Sequence, residues 1–307
     1  MLRKIILVTG GAGYIGSVLV RKLLAYGYKV RVLDKLMFGV DSIKGLLNDR
    51  NFELIKGDIL DTNTLKRSIR GAENILHLAG ARYSSGSVFK DTREDILKDY
   101  LIGKILVNAA KDYGIRRFIF ASSCSVYEGK QDSLSTESSL LKPSSLYAKN
   151  KLKVENYILR MSDAKFVPTI LRIGTVYGWS MCMRFDLVLN RFIMDALRNK
   201  KILLFDGEQW RPFIHCLDVA GAFIKALQSS EKNIKSEIFN IGNSTENYQI
   251  MHLAKIVTKF IPCTIINRPS KDKRSYRIDF SKSALQINFK TNYCIKDGIK
   301  EIKTALS

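Results

Sequence analysis

The sequence of 307 residues is 46% hydrophobic and 26% charged, with 50 Lys and Arg against 29 Asp and Glu for a formal net charge of +21. That length admits a large core, in one composite domain or two closely associated ones; the composition is that of a soluble globular protein, and no run of about 18 apolar residues reads as a membrane span. The charge admits a nucleic-acid or anionic-membrane partner, but the lysines are scattered rather than gathered into one arm or stripe, which favours a lysine-biased surface whose field draws in small anions.

The N-terminal stretch MLRKIILVTGGAGYIG reaches a glycine cluster too early for a signal-peptide core, so a cytoplasmic location is expected. Five widely spaced cysteines without a CxxC or a histidine cluster suggest reduced thiols, with no disulfide framework and no metal site.

In chain order, KIILVTG predicts a strand, Tyr14 to Tyr26 a helix and YKVRVLD a second strand. Between them VTGGAGYIGS places Gly10, Gly13 and Gly16 at GxxGxxG spacing. Such glycines allow a tight turn and close approach of backbone N–H groups to a pyrophosphate at the positive end of a helix. Asp34 closes the second strand 18 residues after Gly16, where a carboxylate accepts hydrogen bonds from an adenosine ribose diol. It would repel a 2′-phosphate, so NAD is expected rather than NADP, although Lys35 stands beside it.

FELIKGD predicts a third strand whose Asp58 is placed either to meet the adenine or to serve as a turn residue. ENILHLAG predicts a fourth, ending in the small residues Ala79 and Gly80; its His77 reads as a packed core histidine. A long helix from about Thr92 to Tyr113 and the strand RRFIFASS follow. This alternation implies an α/β fold, a doubly wound parallel Rossmann sheet with right-handed crossovers and ligands at the carboxyl ends of the strands.

Around Pro143 a new helix begins, with Ser144 or Ser145 as cap, and runs from Tyr147 to about Met161. AKFVPTILRIG reads as a buried strand, Trp179 to Pro212 as a less regular region, Asp218 to Gln228 as a helix and EIFNIG as a strand. The expected division is a dinucleotide-binding domain over 1–175, rejoined by 213–242, with a smaller α/β substrate-binding cap from 176–212 and 243–307.

Tyr147 and Lys151 are four residues apart on one helix. With 13 tyrosines and about one lysine in ten, one such pair is expected by chance; Tyr100 and Lys104 make a second. Tyr147 lies one helix beyond a strand ending FASSCSVY, so Ser122, Ser123 and Ser125 emerge at the ligand-binding rim, whereas Tyr100 precedes that strand and reads as structural. Residues i and i+4 share a helix face, and bringing a phenol from a pKa near 10 to about 7 needs roughly 4 kcal/mol. A nearby ammonium and a cationic nicotinamide could supply that in a partly dry site.

The ordered motifs TGGAGYIG, VLD, GDI, HLAG, SSCSVY, YAKNK, LRIGTVYG, WRPFIHCLDVA, FNIG and DKRSYRIDFSK resemble those of the extended short-chain dehydrogenase/reductase family, and within it the NAD-dependent sugar-nucleotide epimerases and dehydratases. The resemblance covers nearly the whole chain. It implies NAD held by Gly10, Gly13, Tyr14, Ile15, Gly16, Asp34, Asp58, Ile59, Leu78, Ala79 and Gly80, together with Tyr147 and Lys151. It implies Tyr147 as base, Lys151 on the nicotinamide ribose and Ser123 on the reacting sugar hydroxyl. Arg211 and Arg274 match family arginines that grip a nucleotide diphosphate, with a surface ion pair as the alternative; Arg184 and Asn190 would either line the sugar or base pocket or serve ordinary packing, and Trp210 would stack on the base or anchor the cap. His215 is expected to fix its strand.

Family dehydratases carry acidic residues just after the catalytic hydroxyl, where this sequence has Cys124 and Ser125. The expectation is therefore a 4-epimerase of a nucleotide sugar, working through a 4-keto intermediate, as a homodimer built on the Thr92 to Tyr113 and Tyr147 to Met161 helices. A 4-dehydrogenase or 4-ketoreductase is the alternative, since MRFDLVLNRF and GEQWRPFIH are similar to a branch holding epimerases but also dehydrogenases and ketoreductases; a non-catalytic dinucleotide sensor or nucleic-acid binder is the distant one. Glu128 stands where the family usually has glycine, and Tyr100 where it often has asparagine.

Overall fold

Alternation decides the architecture. In the first strand Ile6 and Val8 face one way and Leu7 the other, and all three are buried, so both faces of the sheet must be covered. The computed structural model, which describes residues 5–80, 93–128, 134–269 and 274–307, shows how. In chain order the first half runs β1 (Ile5–Thr9), α1 (Tyr14–Ala25), β2 (Lys29–Asp34), β3 (Phe52–Lys56), α2 (Thr62–Ile69), β4 (Ala72–His77), α3 (Arg93–Asp112), β5 (Arg117–Ser123), α4 (Leu146–Arg160) and β6 (Val167–Ile173). The second half runs β7 (Thr175–Tyr177), α5 (Val188–Asn199), β8 (Lys201–Phe205), β9 (Trp210–His215), α6 (Cys216–Gln228), α7 (Glu231–Ile234), β10 (Glu237–Ile241), β11 (Asn247–Gln249), α8 (Ile250–Phe260), β12 (Thr264–Arg268), α9 (Ser281–Ile287) and α10 (Ile295–Leu306).

Seven parallel strands form the main sheet in the order β3-β2-β1-β4-β5-β6-β10. Leu19, Leu23, Val219 and Phe223, from α1 and α6, cover Ile6, Val8, Val32 and Leu171 on one face. Leu65, Val107, Val154 and Ile158, from α2, α3 and α4, cover Leu7, Leu33, Ile75 and Phe118 on the other. The expected doubly wound parallel sheet is therefore present. The start of the long helix, Thr92, lies outside the described residues, as do the Asp272 and Lys273 of DKRSYRIDFSK.

The stretch from Trp179 to Pro212 is not irregular, as the sequence suggested. Val188, Leu189, Phe192, Ile193 and Ala196 recur at helical spacing, and α5 buries most of that stripe with α8 and α10 in a separate core. Lys201–Phe205 alternates exposed and buried and pairs in parallel with β12, some sixty residues on, while β9 joins β7 and β11 in a three-stranded sheet. These partners are distant in sequence, which is why local reading misses them. Among the described residues no helix is long and apolar enough to cross a membrane.

Candidate active site

The loops that matter meet at the carboxyl ends of β1 and β4, where the strand order of the sheet reverses. The turn from β1 to α1 supplies the first group. Gly10 has φ +74, and a Cβ there would lie 2.8 Å from the backbone nitrogen of Ala79, so the end of β4 rests directly on this turn. A Cβ on Gly16 would fall 2.0 Å from the Gly10 carbonyl oxygen, which no adjustment of a side chain can relieve. Gly13 differs: its φ is −79, and the one atom a Cβ would approach is the Gly10 carbonyl oxygen, at 3.3 Å. Gly13 is thus the least crowded of the three, though a Cβ there would still make a tight contact. No side chain caps α1 there, so its first-turn N–H groups and the positive end of its dipole are available to an anion.

Asp34 is fixed to the same turn. Its Oδ2 accepts from the Ala12 N–H at 2.9 Å and its Oδ1 from the Leu36 N–H at 2.8 Å, leaving each oxygen further capacity for a diol. Lys35 reaches Asp58 instead, with Nζ 2.9 Å from Oδ2. Burial alone would raise the Asp58 pKa, but the Leu60 N–H and the Lys35 ammonium hold it below the usual carboxylate range. Ile59 is buried, Ile15, Leu78 and Ala79 are half-buried and Gly80 is exposed. An uncapped helix start, a bare backbone at Gly13 and a carboxylate anchored beside them fit the two phosphates and ribose of a dinucleotide.

Two expected binding residues turn inward. The Tyr14 phenol is buried; it donates to the Gly178 carbonyl at 2.7 Å and accepts from Asn190 Nδ2 at 3.1 Å. Asn190 is fully buried, with its amide also bonded to the Arg184 carbonyl and the Gly178 N–H. Its side chain holds α5 to the glycine turn and has no face toward solvent. His77 is a core residue as expected: it bonds Thr9 Oγ1 at 2.8 Å and stacks on Phe120, and burial, reinforced by the Lys151 ammonium, pushes its pKa down to about 3.

The second group lies at the end of β5. Of the three serines there, Ser122 turns inward and donates to Glu155. Ser123 stays at the rim, its Oγ accepting from the Ser125 N–H at 3.2 Å; Ser125 Oγ is buried and has no hydrogen-bond partner among the described residues. Tyr147 enters on the first turn of α4, whose cap is Ser145, its Oγ accepting from the Ala148 N–H. Lys151, one turn on, donates to the Ala121 carbonyl at 3.1 Å and lies 4.7 Å from the Phe120 ring centroid and 5.8 Å from that of Tyr147. The ammonium thus sits between the strand end and the tyrosine. Arg184 is ion-paired with Asp186 at 2.5 Å; burial alone would lower its pKa, but Asp186, with the phenols of Tyr147 and Tyr14 in electrostatic reach, raises it.

Farther out, the Arg211 guanidinium lies 5.1 Å over the Tyr276 ring and bonds the Trp210 and Arg274 carbonyls. Arg274 has a 42% exposed side chain with Nη1 3.4 Å from Glu128 Oε1. Trp210 is covered by Arg277 at 5.2 Å. His215 stacks on Tyr293 and bonds Glu301 at 2.8 Å, which fixes the end of β9. Sequence reading missed the Arg172–Glu155 pair, fully buried at 2.8 Å, which ties α4 to β6. Two signals were available: a lone charge inside the apolar strand TILRIG, and a glutamate one turn beyond Lys151. The five cysteines are free thiols, and among the described residues no cluster of His, Cys, Asp and Glu could hold a metal.

Comparison with known proteins adds an independent observation. The NAD dependent epimerase/dehydratase family matches residues 6–242. A dTDP-D-glucose 4,6-dehydratase of Mus musculus is 30% identical, over 97% of this chain and 87% of the relative. A putative UDP-glucose 4-epimerase of Methanocaldococcus jannaschii is 31% identical, over 97% of this chain and 96% of the relative. Among solved structures, a UDP-glucuronic acid 4-epimerase of Bacillus cereus, in complex with UDP-glucuronic acid and NAD, superposes with TM-score 0.87 at 28% identity, covering 99% of this chain and 100% of the other.

Proposed function

From the premise that the chain belongs to the NAD dependent epimerase/dehydratase family, we propose that it is an NAD-dependent 4-epimerase of a nucleoside-diphosphate sugar, acting through a 4-keto sugar. The observation that carries this reading is Lys151 beside the Tyr147 ring on α4 and bonded to the Ala121 carbonyl of β5, the strand that ends in Ser123, with no carboxylate at positions 124 and 125.

Bound NAD supplies a reversible two-electron acceptor. The first-turn N–H groups of α1 would hold its pyrophosphate and Asp34 its adenosine ribose, with the small residues Ala79 and Gly80 leaving space for it. Tyr147 takes the proton of the sugar's C4 hydroxyl, and Ser123 hydrogen-bonds the same oxygen. Lys151 holds the nicotinamide ribose and favours the phenolate, a share of the roughly 4 kcal/mol needed to make a phenol a base at neutral pH. Arg211 and Arg274 grip the diphosphate as forked permanent cations, and Arg184 borders the sugar. The buried Ser125 hydroxyl, which has no hydrogen-bond partner among the described residues, supports the reading that the sugar completes this site.

The dehydratase relatives raise the question of elimination, which needs a base at the sugar's C5. Cys124 is unsuited to that role, because burial pushes its thiol far above the normal range and it donates to the Arg172 carbonyl. Ser125 is a hydroxyl. Glu128, the next acid along, has both oxygens engaged by Ser144 and Ser145. Epimerisation needs none of these groups.

The test is a panel of UDP-, dTDP-, GDP-, CDP- and ADP-sugars incubated without added reductant, with products identified by NMR and mass spectrometry and the cofactor state recorded before and after. Interconversion of two C4 epimers at constant NAD is expected. Consumption of NADH would replace this reading with a ketoreductase, and tight RNA binding at physiological salt without turnover would replace it with a nucleic-acid binder. The proposed assembly is a homodimer through α3 and α4, whose cleft is lined by Leu97, Tyr100, Asn150 and Arg160; light scattering should return twice the 34.8 kDa chain mass.

A further inference from the structure

Glu128 is the residue that the resemblance leaves unexplained, and its surroundings in the fold are specific. It follows the short turn Cys124–Tyr127 that ends β5, and it is 1% exposed. A carboxylate so buried requires partners. Its Oε2 accepts from Ser144 Oγ at 2.8 Å, from the Ser145 N–H at 2.8 Å and from the Ser144 N–H at 3.2 Å; its Oε1 accepts from Ser145 Oγ at 2.9 Å. Ser145 is the cap of α4 and Tyr147 the second residue of that helix. One carboxylate therefore gathers four donors from the two residues at the helix entry, at the end where the helix dipole favours negative charge.

The same Oε1 has Arg274 Nη1 at 3.4 Å, and the Arg274 carbonyl in turn accepts from Arg211. That contact is longer than the four serine contacts and belongs to a partly exposed side chain, so the firm commitment of Glu128 is to α4 and the loose one to Arg274. We propose that Glu128 is a positioning residue for Tyr147: it clamps the Ser144–Ser145 entry of α4 to the end of β5, the strand that carries Ser123, and so sets the distance between the tyrosine and the sugar hydroxyl. The catalytic consequence of this clamp rests on the reading of Tyr147 as the base. In this role Glu128 acts through the helix.

Two substitutions separate its contacts. Glu128→Gly restores the residue usual at this point in the resemblance and removes every bond. Glu128→Gln keeps an acceptor for the three Oε2 donors and presents an NH2 to Ser145 Oγ, which can accept from it, so the clamp survives while the Arg274 ion pair is lost. Glu128→Gly should lower kcat on the epimerised sugar nucleotide by 10- to 100-fold with KM within threefold, and Glu128→Gln should return kcat to within threefold of the parent. Deuterium exchange of the peptide spanning 142–150, read on the NAD-bound protein, should quicken at least fivefold in Glu128→Gly and stay unchanged in Glu128→Gln.

Parental kcat and parental exchange in Glu128→Gly would overturn the proposal. So would a Glu128→Gln variant as impaired as Glu128→Gly in both readouts, because the charge rather than the clamp would then be what matters. The exchange measurement needs no turnover. If the parent acts on no sugar nucleotide, the reading of function fails while the clamp is still judged by exchange at the entry of α4.

Discussion

A tyrosine is a poor base in water, and the role proposed for Tyr147 requires surroundings that change that. Lys151 donates to the Ala121 carbonyl and faces the Phe120 ring, so its ammonium is held near the phenol by the strand end rather than left to wander on a lysine-rich surface. Tyr147→Phe keeps the ring and removes the proton acceptor. It should lower kcat by about 10²- to 10⁴-fold while NAD affinity, measured by calorimetry, changes less than threefold. His77 makes a different kind of prediction. Burial and the Lys151 charge push its pKa down to about 3, whereas a histidine in the unfolded chain titrates near 6.5. The unfolded chain then binds a proton that the folded one refuses, so this stabilisation is complete above pH 6.5 and is lost as pH falls toward 3, at up to about 1.4 kcal/mol per pH unit. Urea midpoints from pH 7 to 5 should decline less steeply in His77→Phe than in the parent. The tyrosine and lysine were legible because their spacing and their place after a strand are local facts. The role of Glu128 was not: its partners lie 16, 17 and 146 positions away, and only the fold brings them together.

The helix α4 is held from three sides: at its start by Glu128, along its length by α3, and near its middle by Glu155. A Cβ on Gly103 would come within 2.9 Å of Val154, so the two helices meet backbone to side chain. Glu155 accepts from Ser122 and pairs with Arg172 of β6, which also donates to Tyr127, itself bonded to Asn240 of β10. The helix that carries Tyr147 is thus wired to three adjacent strands. Removing one charge leaves the other buried and alone, so Arg172→Met should destabilise the fold by about 3–5 kcal/mol. The double change Arg172→Met with Glu155→Leu should recover much of that, with urea denaturation at constant m-value as the measurement. The strands of the main sheet were readable as short apolar runs between turn residues, because a strand covered on both faces is apolar throughout. The α5 stripe lay in a stretch that opens with Trp179, Ser180 and Met181, away from any turn signal. The β8 strand finds its neighbour only through tertiary pairing.

At the scale of the molecule, the excess of 21 positive charges acts at a distance on any nucleotide that approaches. Salt screens such a field over about 10 Å at 0.1 M. The KM for a nucleotide sugar should therefore rise by roughly 2- to 10-fold between 20 and 200 mM salt, while kcat stays level. A KM indifferent to salt would mean that the arginines at the site do all the recruiting. The join of β1, α1 and β4 has a further implication for ancestry. Two of its three motif glycines are demanded outright by the chain's own atoms, Gly10 by Ala79 and Gly16 by the Gly10 carbonyl, while at Gly13 a Cβ would ask that same carbonyl oxygen, 3.3 Å away, to give by only a few tenths of an ångström. A descendant that abandoned redox chemistry would still have to inherit the outer pair in order to fold, and could change the middle one at a smaller cost. In a distant cousin, position 13 is the place to look for whether the old coenzyme is still being received.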